Sequence, residues 1–418
     1  MVSDAELLWL YVVSANLREN SGDPASSGSL ALLLAALAML GPFSVDSYLP
    51  AFPAIQNNLG ASALEVQQTL TVYMLSFSVM ILWHGALSDA FGRRSIILIS
   101  LAVYAVASLG CASAHSVEYL WAFRMLQGVS AGAGVVIGRA IIRDLYAGAS
   151  AERMLSLVTM IFSISPAIAP IVGGWVVTLR DWRSIFLLLF IFALMMLFVG
   201  YRRLPETLPP SGRQAFNPAS LWHNYRQIFV SPLFQLRAGA IACNFSGLFL
   251  YVASAPVLIT QHLQLGGNEF SWLFVPSVAG IFLGALAANR MAGVAPPGRQ
   301  VIIGFALLMM SCIANVGYHL FFPPALPWTV APLFLYTMGM SMVAPGLTLL
   351  VLDLFPHIRG TVASCQSFTM TMLSALVAGV ISPLLSSSVL LLAVGQLVFV
   401  LTGCLLWRLA RIERLRKC

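Results

Sequence analysis

The sequence predicts an all-α integral membrane protein with twelve transmembrane helices in two six-helix bundles. The first observation is composition: of 418 residues, 59% are hydrophobic and 9% charged, against about 25% charged in a soluble domain. The second is that the apolar residues come in runs long enough to cross a hydrocarbon core, roughly 20 residues at roughly 1.5 Å rise each. Strands of a membrane barrel run for about ten residues with alternating polarity, and these runs are too long and continuous for that. The third is one long polar gap, Arg202 to Leu233, which leaves six runs on either side.

In order, the first six runs cover residues 29–55, 66–88, 95–114, 117–141, 154–179 and 183–201. The second six cover 236–260, 269–291, 300–320, 326–352, 361–386 and 388–408. Residues 1–28 precede them as a cytoplasmic tail. Its apolar stretch Leu7–Val13 is short and follows Asp4 and Glu6, unlike the basic start and longer core of a signal peptide. The first bundle is expected at 29–201, a cytoplasmic linker at 202–235, the second bundle at 236–408 and a basic tail at 409–418. Proline and glycine break up Leu204–Gln214, whereas Ala219–Phe229 suits a short amphipathic helix on the cytoplasmic face. Two triplets recur at matching places in the halves: Gly85-Ala86-Leu87 with Gly284-Ala285-Leu286, and Asp144-Leu145-Tyr146 with Asp353-Leu354-Phe355. Such parallel repeats are a transporter signature.

The net charge of +7 does not indicate a nucleic-acid partner, because the basic residues gather in the segments on one side of the predicted membrane. The opposite side has Arg180 and Arg183, and Arg124 and Arg139 fall within spans. The positive-inside rule then places both termini in the cytoplasm, as an even number of spans also requires. The six cysteines are scattered without C-x-x-C or zinc-like spacing, so neither a disulfide framework nor a metal site is expected. No nucleophile–base constellation or phosphate loop argues for an enzyme, and no cofactor is expected.

Asp46 is the one acid or base in the run Ser29–Ile55. A charge there costs about 2.5–3.5 kcal/mol on insertion scales, so an intramembrane acid is by default a functional group; a plain hydrogen bond to a neighbouring helix is the alternative. The other carboxylates fall in the tail, at cytoplasmic ends or near the opposite face. If protons act through a carboxylate, Asp46 is therefore the candidate. His84 is its competitor and reads as an interfacial histidine. Arg124 is a second charge at depth. Placed near Asp46, it would tune proton release; alternatively, it hydrogen-bonds backbone carbonyls at a bend in span one. Gln127 shares its helical face.

The loop after span two reads Gly85-Ala86-Leu87-Ser88-Asp89-Ala90-Phe91-Gly92-Arg93-Arg94. Glycines in a tight turn allow positive φ and close helix approach. Asp89 can face the N-terminus of a neighbouring helix and pair with basic side chains. Such contacts can hold two bundles together in one state and break in another. In span five, Pro166 and Pro170 kink the helix, and Gly173 and Gly174 allow tight packing.

The loop resembles the signature G-x-L-a-D-r-x-G-r-[RK] of the major facilitator superfamily. Leu120 to Gly132, with Arg124, Gln127 and Gly128, is similar to the span-four R-x-x-q-G motif of that family. Ser165 to Gly174 is similar to the span-five G-P-x-x-G-G motif of antiporters, with Ala169 where that pattern has glycine. Asp46-Ser47-Tyr48-Leu49-Pro50-Ala51-Phe52-Pro53 and Asp181-Trp182-Arg183-Ser184-Ile185-Phe186 resemble blocks of the bicyclomycin-resistance-like (Bcr/CflA) drug:proton antiporters. Ala90 stands where the loop motif is often basic, and Asn289 stands near where the second-half copy would carry an acid. The conformational lock is thus expected in the first half alone.

The resemblance implies efflux of small lipophilic or amphiphilic compounds in exchange for protons. It implies a monomer in a bacterial inner membrane, contacting lipids and no nucleic acid, with Arg124 in the proton pathway. It also implies a rocker role for span five. A carrier for a specific metabolite on the same fold is the alternative. The substrate cavity is expected between the halves near mid-membrane. Its candidate lining is Tyr48, Tyr73, Met74, Phe77, Asn244, Phe245, Phe249 and Tyr251, because aromatic and Met side chains repack around varied lipophilic molecules.

Overall fold

The computed structural model describes residues 24–162, 164–213, 216–291 and 297–417; residues 1–23 of the predicted tail lie outside them. Among the described residues there are twelve helices long and apolar enough to cross a membrane, and no strand. Spans 1 to 6 are Gly28–Leu59, Ala63–Phe91, Arg93–Ala112, Val117–Leu145, Arg153–Leu179 and Arg183–Arg203. Spans 7 to 12 are Pro232–His262, Ser271–Met291, Gly298–Phe321, Ala331–Leu352, Pro356–Leu385 and Val389–Glu413. Large apolar side chains such as Ile191, Phe198 and Phe282 stay exposed on the outer faces, as they must where lipid is the solvent.

Two boundaries differ from the sequence reading for identifiable reasons. Span 2 starts at a capping box, in which Ser62 and Glu65 satisfy each other's backbone N–H, and continues to Phe91. Gly85 therefore lies inside a helix rather than in a turn. A Cβ on Gly85 would meet only the Val136 side chain at an ordinary 3.7 Å, so no close approach demands this glycine. Gly92 does need to be glycine: its φ is +98° and a Cβ would strike the Glu206 carboxylate. Span 10 begins at Ala331, because residues 326–330 form turns rather than helix.

Within the first half, span 2 packs on span 4 and span 3 on span 6; within the second, span 10 packs on spans 8 and 9, and span 7 on span 12. Small residues set the closest crossings, as expected where lipid tails offer no hydrophobic drive for helix association. Gly134 of span 4 lies against the Leu37 carbonyl of span 1, and Gly284 of span 8 against the Met338 carbonyl of span 10. The repeated triplet therefore has different uses, packing at Gly284 and none at Gly85. Between the halves, span 2 meets span 11 and span 5 meets span 8.

The linker forms the helix Pro218–Val230, where Asn217 accepts from the N–H groups of Ala219 and Ser220. Its Tyr225 hydroxyl donates to the Leu82 carbonyl of span 2 at 2.6 Å, and Ile228 is fully buried. Phe216 packs near the rings of Trp83 and Phe91.

Gly134→Leu should lower the thermal unfolding midpoint of the purified protein in detergent, because a side chain there must push the Leu37 backbone aside at a cost of about 1–3 kcal/mol. Gly85→Ala should leave the midpoint unchanged. Equal midpoints for Gly134→Leu and wild type would contradict the packing described.

Candidate functional site

Proline places Asp46. Residue 50 is a proline and has no N–H for the Asp46 carbonyl, so the first helix of span 1 ends at Asp46. A 3-10 turn Leu49–Ala51 follows, and a second helix Phe52–Leu59 completes the span. The Asp46 side chain is 93% buried, at 7% exposure, and among the described residues it makes no hydrogen bond or ion pair. Ser47, its neighbour, offers its carbonyl to the side of Gly173 in span 5, where a Cβ would collide.

Arg124 is fully buried in span 4 and does not pair with Asp46. Its Nη1 donates to Gln127 Oε1 at 3.0 Å and reaches the Ser44 carbonyl at 3.5 Å. The guanidinium lies between two aromatic faces, 4.6 Å from the Tyr48 ring centre and 4.3 Å from that of Tyr73. A desolvated cation–π contact is worth about 2 kcal/mol, which helps to offset the burial of Nε and Nη2 without hydrogen-bond partners. Both rings are fixed in turn: Tyr48 bonds Thr69 and Tyr73 donates to the Gly41 carbonyl. Gln127 donates to Ser108, Ser108 to the Tyr104 carbonyl, and the Tyr104 hydroxyl meets Ser44. Spans 1 to 4 are thus joined by one polar network centred on Arg124, one turn away from Asp46.

The loop motif binds its own half and the linker. Arg93 pairs with Asp89 and, through Nε, with Asp144 at 3.2 Å, while its backbone N–H donates to Glu206 Oε1 at 2.9 Å. Arg94 donates to the Tyr201 carbonyl at 2.6 Å. Glu206 therefore caps the start of span 3, and among the described residues the hydrogen bonds and ion pairs of this motif stay within the first half and the linker. The role expected for Glu206 in the sequence was only that of a loop acid; its signal is a lone carboxylate one turn beyond Arg202 and Arg203.

The described part of span 5 comprises a helix ending at Phe162 and the helix Ser165–Leu179, which follows a turn at Ile164 and carries Pro166 in its first turn. Pro170, Gly173 and Gly174 are buried, and this segment packs on span 1 on one side and span 8 on the other. At the end of the molecule away from the loop motif, the two halves are fastened together. Gln67 Nε2 donates to the carbonyls of Ala253 and Ala378, and Gln68 Nε2 to that of Gly379. Val377–Ile381 is a π-helical stretch in span 11, a register that interrupts the α-helical ladder and marks functional sites. This clasp was not among the site residues expected from the sequence, although Gln67 and Gln68, adjacent in an apolar run, were a visible signal.

A cavity of about 600 Å³ lies between the halves at the loop-motif end. Spans 2 and 4, the linker helix and span 11 form its walls, through residues such as Ile81, Val136, Asn224 and Ser364. None of the eight candidate lining residues borders it. Tyr48 and Tyr73 clamp Arg124, and Met74 is buried beside them, with Phe77 half-buried and stacked on Tyr73. Tyr251 accepts from Asn315 inside the second half, Phe245 stacks on Phe249, and Asn244 packs against Gly403 of span 12. With the far end clasped shut, the side chains toward mid-membrane are consumed in packing, and the open volume lies nearer the polar end.

Broken spans around an isolated carboxylate, and a cavity between two bundles that are closed at one end, define a secondary-transporter architecture. The chain belongs to the Major Facilitator Superfamily, which its residues 32–379 match. It is 31% identical over 358 residues to the uncharacterized MFS-type transporter YdgK of Bacillus subtilis, covering 85% of this chain and 88% of that protein. It is 28% identical over 341 residues to multidrug resistance protein D of Escherichia coli, covering 80% and 83%. The bicyclomycin resistance protein homolog of Haemophilus influenzae is 27% identical over 296 residues, covering 69% and 74%. Among solved structures, the proton:xylose symporter XylE shares the fold with a TM-score of 0.72 at 14% identity, covering 91% of this chain and 94% of that one. A bacterial homolog of the human lysosomal transporter Spinster, solved inward-facing, gives 0.64 at 15%, covering 93% and 96%.

Ser364→Cys, in the cavity wall, should react with a membrane-impermeant maleimide at least ~10-fold faster than Thr69→Cys, which is fully buried at the clasped end. Cys111, Cys243, Cys312 and Cys365 are buried and should stay silent. Equal rates at the two engineered positions would contradict the closed-end, open-end arrangement.

Proposed function

We propose that this transporter exports small amphiphilic compounds across a bacterial inner membrane in exchange for protons, with Asp46 as the proton-carrying group and both termini in the cytoplasm. The observation that carries the proposal is the isolation of Asp46, a carboxylate at a helix break in mid-span with no protein donor or cation of its own. Such a group is available to a proton or to a substrate, and competition between the two is sufficient for antiport. The names of bacterial relatives, multidrug resistance protein D and the bicyclomycin resistance protein homolog, support the substrate class. The basic residues around the linker and the loop motif support the cytoplasmic placement of that end.

The contacts support an alternating-access cycle. The cavity at the loop-motif end faces the cytoplasm, and the Gln67 and Gln68 clasp closes the periplasmic side. For export, the clasp must part and the cavity must close. Gly173 lies on the Ser47 carbonyl beside Asp46, and the same segment of span 5 packs on span 8 of the other half. A shift of the span-1 break when Asp46 gains or loses its proton is thereby passed to the contact between the halves. Arg124 holds the four spans behind Asp46 in register and positions the break through the Ser44 carbonyl.

The test is a resistance panel in an efflux-deficient bacterium, comparing wild type with Asp46→Asn at matched membrane abundance. Wild type should confer resistance to at least one amphiphilic compound, and Asp46→Asn should return the cells to the empty-vector level. Resistance surviving the substitution removes Asp46 from coupling and transfers attention to His84. No resistance to any compound favours a dedicated metabolite carrier.

A further inference from the structure

Two arginines in the cavity wall are left over by everything described so far. Arg139 and Arg143 sit four residues apart in span 4, so they share one helical face, and both line the cavity and are exposed within it. Neither has a hydrogen bond, an ion pair or a ring contact among the described residues. The acids in the same wall are already engaged. Asp89 and Asp144 are both held by Arg93, and Asp144 also accepts from Thr207 at 2.7 Å. The remaining arginine of the wall, Arg359, is bound to Asp353 at 2.9 Å.

Like charges one turn apart destabilise a helix, and the fold itself does not call for them here. The internal repeat aligns Asp144-Leu145-Tyr146 with Asp353-Leu354-Phe355. The second-half positions matching Arg139 and Arg143 are accordingly Thr348 and Leu352. A helix in the same structural place thus ends without either cation. Around the pair the cavity is two-faced: Ile81, Leu82 and Val135 offer apolar surface, and Ser364 and Ser367 offer hydroxyls opposite. Its volume of about 600 Å³ suits one drug-sized molecule.

We propose that Arg139 and Arg143 form an anion-recognition wall, and that the compounds this cavity takes from the cytoplasm include amphiphilic organic anions bearing a sulfonate or carboxylate. Guanidinium forks match such groups with paired, charge-assisted hydrogen bonds. The apolar wall receives the rest of the molecule. This deepens the efflux reading of the cavity and rests on it for the direction of movement, but binding can be read without transport.

The experiment uses full-length protein in nanodiscs and two fluorescent probes with one skeleton, anionic 8-anilinonaphthalene-1-sulfonate and neutral N-phenyl-1-naphthylamine. Empty-nanodisc signal is subtracted. In phosphatidylcholine discs, Arg139→Gln/Arg143→Gln should weaken sulfonate binding by about tenfold or more and leave the neutral probe and the unfolding midpoint unchanged, whereas Arg139→Lys/Arg143→Lys, which keeps the charge but loses the fork, should restore binding only in part. Unchanged sulfonate binding in the Gln variant, or equal loss of both probes, overturns the proposal. Loss of sulfonate binding by wild type alone when phosphatidylglycerol replaces phosphatidylcholine assigns the pair to lipid headgroups and also overturns it. Asp46→Asn is read alongside. If it abolishes resistance while the Arg pair proves indifferent to the sulfonate, the anion proposal fails and the efflux reading stands. If the Arg pair selects the sulfonate but no variant or wild type exports any compound, the efflux reading fails by itself.

Discussion

In a bilayer every backbone N–H and C=O must find a partner inside the protein, and that constraint organises this molecule. Uninterrupted helix meets it at no cost, so each interruption in a span has to be compensated locally. The interruptions here coincide with the places where something can happen. Pro50 ends a helix at Asp46, a turn at Ile164 precedes the Pro166 segment of span 5 that packs on both halves, and the π stretch in span 11 lies where Gln67 and Gln68 fasten the two halves together. These interruptions fall at the proposed proton site, at the contact between the halves and at the glutamine clasp.

The charged groups divide along the same line. Arg124 is buried, sandwiched by Tyr48 and Tyr73 and tied through Gln127 to spans 1 to 4. It is a fixed part of the first bundle. Asp46, two residues from the Ser44 carbonyl that Arg124 reaches, has no hydrogen bond or ion pair among the described residues, which is what suits it to the proposed proton-carrying role. Arg93, Asp89, Asp144 and Glu206 saturate one another at the polar end and stiffen the first half against its linker. Among the described arginines and carboxylates of the cavity wall, Arg139 and Arg143 are the ones without an ion pair.

The long apolar runs made twelve spans legible, because hydropathy follows directly from the solvent a segment must face. Asp46 was legible for the same reason, as a charge where charge is expensive. The partners of Arg124 were not, since whether a guanidinium meets a carboxylate or two aromatic faces depends on the rotation of four helices about their axes. The aromatic residues of spans 1, 2 and 7 suited a binding cavity by chemistry, yet Tyr48, Tyr73 and Tyr251 turn into their own bundles and the open volume lies against Val136, Asn224 and Ser364. Residue type does not specify which face of a helix points between the halves when every face is apolar. The loop motif showed the limit of pattern matching: Gly92 is required by its backbone conformation, whereas Gly85 in the same motif has space for a side chain.

The central claim is that one proton and one substrate compete through Asp46. Its most direct measurement is proton release from purified transporter in weakly buffered detergent on addition of a compound identified by resistance. Wild type is predicted to release protons in step with saturation of binding, and Asp46→Asn to bind the same compound while releasing none. Release of the same size from Asp46→Asn would contradict the account.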